Sequence, residues 1–388
     1  MPRSRRPRRP QPRRPQPLRR GPTSTLRAGP GEFAAALPDL LGFPPTESLV
    51  LLCLGGGDRP DRRLGLNLRV DLLPAEVDAE VAPQVVAPLG RVRPAGVLLF
   101  VVTADPDDQV AAGPPDPLGP GAPRSDAGAR PTVPDLPRRA LVRAVVDELT
   151  ALGVPTVDAV LVRDGRWWSY ADVDPATGAG PGTPLDPGGS RLAGLAALRG
   201  EVVDADRDAV VARAWPSRPP SAELVHACTR ADAQLEVRLL RGASLPDVVD
   251  EEWAAVRAAV DAHLPGSRSA LPDDEVARVA VSLTLVPVRD RVLTLASGED
   301  DDLTAAVEAL GADLNARLPD ELAAVPALLL GFTAWVRGAG VLAVAALERS
   351  MACEPTTMGE LLLQAVRGGA EPAVLRAAML GPADADAA

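Results

Sequence analysis

Hydrophobic and polar positions follow two different periods along this chain, and the change between them divides it into an α/β half and an all-α half. In the first half the apolar runs are short. Residues 48–54 (SLVLLCL) and 96–102 (GVLLFVV) are unbroken and predict buried strands, while 64–72 (LGLNLRVDL) alternates as a half-buried strand does. Helical spacing over 32–41, 75–89 and 138–152 separates them, the last helix closed by Gly153 and Pro155. Strands and helices in this order predict βαβ crossovers and a mixed sheet with helices on it.

The stretch 154–170 (VPTVDAVLVRDGRWWSY) predicts a β-hairpin. Asp164-Gly165 between two apolar runs suits a type I′ turn, whose two central residues both need positive φ. A two-residue loop sets Arg163 opposite Arg166, Val162 opposite Trp167, Leu161 opposite Trp168 and Ala159 opposite Tyr170. Successive strand residues point to opposite sides. Trp167 and Trp168 are therefore expected as buried structural residues on opposite faces of the sheet.

After a Pro/Gly loop over 172–189 come short helices at 191–198 and 206–214, and the break at Pro216, Pro219 and Pro220 separates a domain at 23–214 from one at 215–388. Beyond it the 3.6-residue period dominates, with helices expected at 222–240, 245–263, 273–285, 302–316 and 321–336. Residues 1–22 alternate arginine clusters with proline and are expected to form a disordered basic tail. Residues 104–134, dominated by Pro, Gly and Asp, predict a flexible insertion.

Composition adjusts this picture. The 388 residues include no lysine and no isoleucine, a coding bias that removes the abundance of Arg, Ala and Pro as a functional signal. The net charge is −11, yet residues 1–27 hold ten arginines and no acid, so the rest of the chain carries −21. An acidic body argues against nucleic acid as a partner, except nonspecifically through 1–22. Cys53, Cys228 and Cys353 are far apart and odd in number, and read as reduced core thiols of a cytoplasmic protein. No stretch reaches the roughly 18–20 apolar residues that span a bilayer, so no membrane partner is expected.

Two resemblances emerge from these residues. The segment 330–355 (LGFTAWVRGAGVLAVAALERSMACEP) resembles one tetratricopeptide unit, with Leu330-Gly331 on the first helix, Gly338 at the turn, Ala343 and Leu347 on the second helix and Pro355 at its close. It implies a helical hairpin over 321–355. More widely, LPDLLGFPPTESLV, LRVDL, VRDGRWWSY, VPVRDRVL and AWVRGAGVLAVAALERSMACEP resemble an actinobacterial family catalogued as domain of unknown function 4192. That resemblance covers about 23–363, with Gly165, Trp167, Trp168 and Tyr170 in its most specific element, and implies an α/β front half and a helical rear half without assigned activity. The family pattern places cysteines after the SY element. Here the loop keeps Gly182-Thr183-Pro184 and has no cysteine, so a thiolate metal site there is not available.

The chain holds no H-E-x-x-H, paired C-x-x-C, G-x-S-x-G or phosphate-loop motif, and its two histidines, His226 and His263, lie on separate helices. No catalytic residue and no cofactor are expected on these grounds. The ligand or metal candidates are positional. Asp71, Asp105 and Asp164 follow three strands, and carboxylates converging outside strand ends would suit a divalent cation. Arg163 and Arg166, opposed at the hairpin tip, would suit a phosphate or carboxylate between them. The expected function is a noncatalytic interaction or regulatory role, with a protein partner held by the helical half. The alternative is a metal- or phosphate-dependent enzyme using the aspartates.

Overall fold

The computed structural model describes residues 28–372 except 57–58, 112–131, 175, 199–201, 268–269, 299 and 371. The basic tail expected at 1–22 and most of the insertion expected at 104–134 lie outside the described residues. Two short helices, α1 (Pro30–Ala35) and α2 (Leu37–Leu41), precede β1 (Ser48–Gly56), β2 (Arg59–Asp71), α3 (Asp78–Val86), α4 (Leu89–Val92) and β3 (Gly96–Val102). The flanks of the expected insertion form a two-stranded antiparallel ribbon of β4 (Asp108–Ala111) and β5 (Thr132–Asp135). Then follow α5 (Arg139–Ala151), the hairpin of β6 (Thr156–Arg163) and β7 (Arg166–Ser169), β8 (Thr183–Pro184) and α6 (Arg191–Leu198).

The sheet order is β2-β1-β3-β6-β7-β8. Strands β3 and β6 run parallel, joined through α5, and the other neighbouring pairs are antiparallel. Leu49, Leu51 and Cys53 of β1 and Val97, Leu99 and Val101 of β3 share one core with α3 and α5. Val50, Leu52, Leu98, Phe100 and Val160 share the opposite core with Phe33 and Leu37 of α1 and α2. Covering on both faces explains why β1 and β3 are apolar at nearly every position.

The hairpin has the register that its sequence predicts through Arg163–Arg166, Val162–Trp167 and Leu161–Trp168, with φ of 50° at Asp164 and 71° at Gly165. It ends sooner than expected. Ser169 pairs with Val160 and is the last strand residue, so the Ala159–Tyr170 pair is not formed. Tyr170 instead opens a single 3-10 turn, where the Ser169 hydroxyl accepts from the Ala171 N–H (3.2 Å) and the Tyr170 hydroxyl donates to Pro137 O (2.7 Å). Trp167 and Trp168 do take opposite faces, but each is partly rather than fully buried. Trp168 Nε1 donates to Gly180 O (2.8 Å), and a Cβ on Gly182 would collide with the indole.

The rear half consists of α7 (Arg207–Ala212), α8 (Ala222–Leu240), α9 (Leu245–Ala262), α10 (Asp273–Leu283), α11 (Val286–Ala296), α12 (Asp301–Arg317), α13 (Asp320–Val336), α14 (Gly340–Cys353) and α15 (Thr357–Arg367). Helices α13 and α14 pack side by side as a hairpin around the corner glycine Gly338, whose φ is 88°. They approach closely at Gly331, where a Cβ would lie 2.7 Å from Leu347 Cγ and 3.1 Å from Ala343 O. Pro355 follows α14 in the turn to α15. Phe43, from the loop between α2 and β1, is buried in the core of the helical half. It fastens the two halves together.

Candidate functional site

Strands β2, β3 and β6 run in one direction, so their carboxyl ends reach a common edge of the sheet. Asp71, Asp105 and Asp164 all lie along that edge. The strand order nevertheless sets β2 and β6 three spacings apart, about 14 Å. With oxygen-to-metal distances of roughly 2.0–2.6 Å, Asp71 and Asp164 cannot share an ion. Among the described residues no three His, Cys, Asp or Glu are grouped to hold one. Two of the carboxylates are engaged elsewhere, Asp71 with Arg69 (2.6 Å) and Asp105 with Arg138 (2.9 Å), and Asp164 stands in the hairpin turn.

The hairpin arginines face each other, and each has its own acceptors within the protein. Arg163 donates to Asp105 O (2.6 Å) and to the Asp107 carboxylate (2.7 Å), with its guanidinium 5.1 Å from the centre of a Trp168 ring. Arg166 donates to Pro181 O (3.0 Å) and Gly182 O (2.9 Å).

Sequence reasoning missed the residue that organises this edge. Arg138 caps α5 in a left-handed conformation (φ 59°) and donates to Asp105 (2.9 Å), Leu73 O (2.8 Å) and Asp78 (3.4 Å). Burial pushes the Asp78 carboxyl above its usual range, against the pull of Arg138. Glu47 accepts from the Thr103 hydroxyl (2.7 Å) and the Ala104 N–H (2.8 Å). Arg139 pairs with buried Asp135, and its guanidinium stacks 5.5 Å from Tyr170, whose hydroxyl pKa burial raises. The loops around the strand ends are thus tied to one another, in the crevice where open α/β sheets take ligands.

In the helical half, two adjoining grooves of about 800 and 390 Å³ run along α8 where it faces α10, sharing Ala227, Arg230 and Asp274. The first also takes in Glu223, His226 and Asp273. The second is lined by Arg238, Arg278 and Glu252, over Leu235 and Val281. Glu252 is only 5% exposed and accepts from Arg238 (2.6 Å), Arg278 (3.1 Å) and the Ser282 hydroxyl (2.7 Å). Burial alone would raise its carboxyl, but the hydrogen bonds from Ser282, Arg278 and Arg238 hold it below the usual range. A signal for this acid existed in the sequence. Glu252 occupies the buried stripe of α9 formed by Val248, Val249, Val256, Ala259 and Val260, where helical spacing calls for an apolar residue.

The architecture is that of an α/β sandwich joined to a helical half, and no helix among the described residues is long and apolar enough to cross a membrane. The chain belongs to the family described as Domain of unknown function (DUF4192), whose model matches residues 30–373 and so takes in both halves. No curated protein and no solved structure matches it.

Proposed function

We propose that this chain is a noncatalytic interaction or regulatory protein that holds a protein partner through its helical half. The observation that carries the reading is the placement of the grooves. They follow α8, whereas the arginines and carboxylates at the sheet edge are bonded to one another. The α13–α14 hairpin, read as a tetratricopeptide-like unit, supplies a rigid backing through the close approach at Gly331. A cytoplasmic location with reduced Cys53, Cys228 and Cys353 belongs to the same reading.

The chain holds no lysine, so amine-reactive crosslinkers report little of its surface. Carboxylate-directed crosslinking in the native host, read by mass spectrometry, reaches the acidic body. One stoichiometric partner crosslinked to residues 222–367 is the expected result. Crosslinks confined to the neighbourhood of residues 1–27 and abolished by salt would replace it with nonspecific electrostatic binding. Metal- or phosphate-dependent turnover lost in Asp105→Asn would replace it with the enzyme reading.

A further inference from the structure

We propose that the outer flank of β2 is an interface with a second copy of this chain, in which two β2 strands pair antiparallel about a two-fold axis at Val70 and join two sheets into one. This goes beyond the interaction reading above, since it concerns the sheet half and a different partner. The two flanks of the sheet are finished differently. At one, β8 is two residues long and ends in Pro184, which has no N–H, and the N–H of Leu185 turns back to Gly165 O (2.8 Å). At the other, β2 is 13 residues long, and β1 is its only strand neighbour among the described residues.

The register shows which backbone groups of β2 are left over. Leu72 N–H donates to Glu47 O (2.8 Å), and Ser48 stands opposite Asp71, Leu49 opposite Val70 and Leu51 opposite Leu68. Residues of an antiparallel strand alternate between bonding to their neighbour and facing away from it. Leu68, Val70 and Leu72 therefore bond to β1, while the N–H and C=O of Asn67, Arg69 and Asp71 face outward. Both register shifts of the β1–β2 pair lie beyond Leu52, so the stretch 67–73 is regular, and it holds no proline. Its apolar side chains are incompletely covered. Leu68, Val70 and Leu72 are only partly buried on the core where Leu49, Leu51 and Cys53 are fully enclosed, and Leu73 is 47% exposed. A regular open strand with an apolar face is a template for one more strand.

The sequence of this stretch matches it to its own copy. An axis at Val70 overlaps the whole of 67–73 with itself and sets outward-facing residues against outward-facing ones. Arg69 then stands opposite the partner's Asp71, and Leu68 opposite the partner's Leu72. Moving the axis by one residue sets arginine against arginine or aspartate against aspartate, and like charges directly opposite are destabilising. Charge sets the register here and not the strength, because Arg69 and Asp71 already pair within one chain (2.6 Å). Arg69 folds back onto Ser48 Oγ (2.9 Å) and is 11% exposed, which leaves the flank clear, while Asp71 is 69% exposed. Strength comes from the backbone hydrogen bonds that Arg69 and Asp71 exchange with their opposites, and from closing the apolar row over Leu68, Val70 and Leu72.

The test is sedimentation velocity of the full chain over a range of micromolar concentrations, where the unaltered chain should reach twice the mass of one chain. Asp71→Pro removes an outward N–H and leaves the bonds to β1 in place, so it should weaken the dimer at least about tenfold. Val70→Cys probes the register, because non-hydrogen-bonded residues facing each other in an antiparallel pair lie about 4.5 Å apart at Cα, within disulfide reach. On mild oxidation it should give a disulfide-linked dimer. Leu68→Cys, which faces the partner's Leu72, should not, nor should the unaltered chain with its own three cysteines. Melting temperature and far-UV circular dichroism check folding, and the two cysteine variants decide alone if Asp71→Pro does not fold. A chain monomeric at every concentration overturns the proposal and leaves the flank to a different protein. A dimer unmoved by a folded Asp71→Pro, or Leu68→Cys linking as readily as Val70→Cys, overturns it as well.

Discussion

Each half of the molecule buries a carboxylate beside arginine, and the surroundings move the two acids in opposite directions. In the sheet half Arg138 divides its donors among Asp105, Leu73 O and Asp78, leaving Asp78 a loose contact at 3.4 Å, and burial raises its carboxyl. In the helical half Glu252 receives Arg238, Arg278 and Ser282 together, and their bonds outweigh burial. The difference lies in how many donors one acid commands. It also separates two uses of arginine: at the sheet edge the guanidinium groups knit loops together, while over Glu252 they present a face to solvent.

The comparison treats the halves as separate environments, and the change with the largest expected effect asks whether they are separate in stability. Phe43 belongs to the sheet half by sequence and is 1% exposed within the helical core. Phe43→Ala should cost about 3–5 kcal/mol. It should also split the unfolding transition, as followed by near-UV and far-UV circular dichroism. A loss of that size with both signals still coincident would show that other contacts couple the halves.

Next in size is the hairpin. Trp168 packs on the α5 side, stacks with Arg163 and donates to Gly180 O. Because it is only partly buried, Trp168→Ala should cost about 2–4 kcal/mol, less than full burial would imply. A stable, cooperatively folded variant would mean that Arg163 and the 180–184 loop do not depend on the indole. In the helical half the glycines discriminate between two causes. Gly331→Val must push Leu347 or the Ala343 carbonyl aside and should cost about 1–3 kcal/mol. Gly338 has nothing within 4 Å of an added Cβ but a φ of 88°, so Gly338→Val should cost about 1 kcal/mol through backbone conformation alone. Equal losses measured by chemical denaturation would erase the distinction between close approach and turn.

Much of this was legible where local chemistry dictates structure. The turn at Asp164-Gly165 set the hairpin register, and unbroken apolar runs marked β1 and β3, which lie side by side within the sheet. Strand β8 was not legible: Thr183–Pro184 is two residues long, half of it lacks an N–H, and only its place beside β7 makes it a strand. Helix α11 was missed because Val286, Val288, Val292 and Leu293 mix two periods, while Pro287 marks its first turn and not a break. The aspartates were placed correctly at one edge, yet no local pattern reveals that β1 and β3 stand between Asp71 and Asp164. Arg138 was hidden because an arginine in a left-handed cap has no sequence signature. Glu252 was visible as an acid in an apolar stripe.

The smallest effect, and the sharpest on the opening contrast, is the sign of a pH slope. Asp78 holds its proton more tightly folded than unfolded, because burial outweighs the Arg138 contact, and Glu76 and Asp105 nearby add to the rise. Folding therefore loses stability as pH climbs from its ordinary value of 3.8 through the raised one, and the loss is complete above that. For Glu252 the folded pKa lies below its ordinary 4.5, so its contribution is complete above that value and is lost as pH falls through the depressed one. Asp78→Asn keeps an acceptor for Arg138 and removes the first slope, so its advantage over the unaltered chain should grow from about pH 3 to pH 7. Glu252→Gln removes the second, so its disadvantage should grow over the same range. Melting temperatures of the three chains across that range decide it. Difference curves of the same sign would show that the two buried acids are alike, and that the donors around Glu252 do not outweigh its burial.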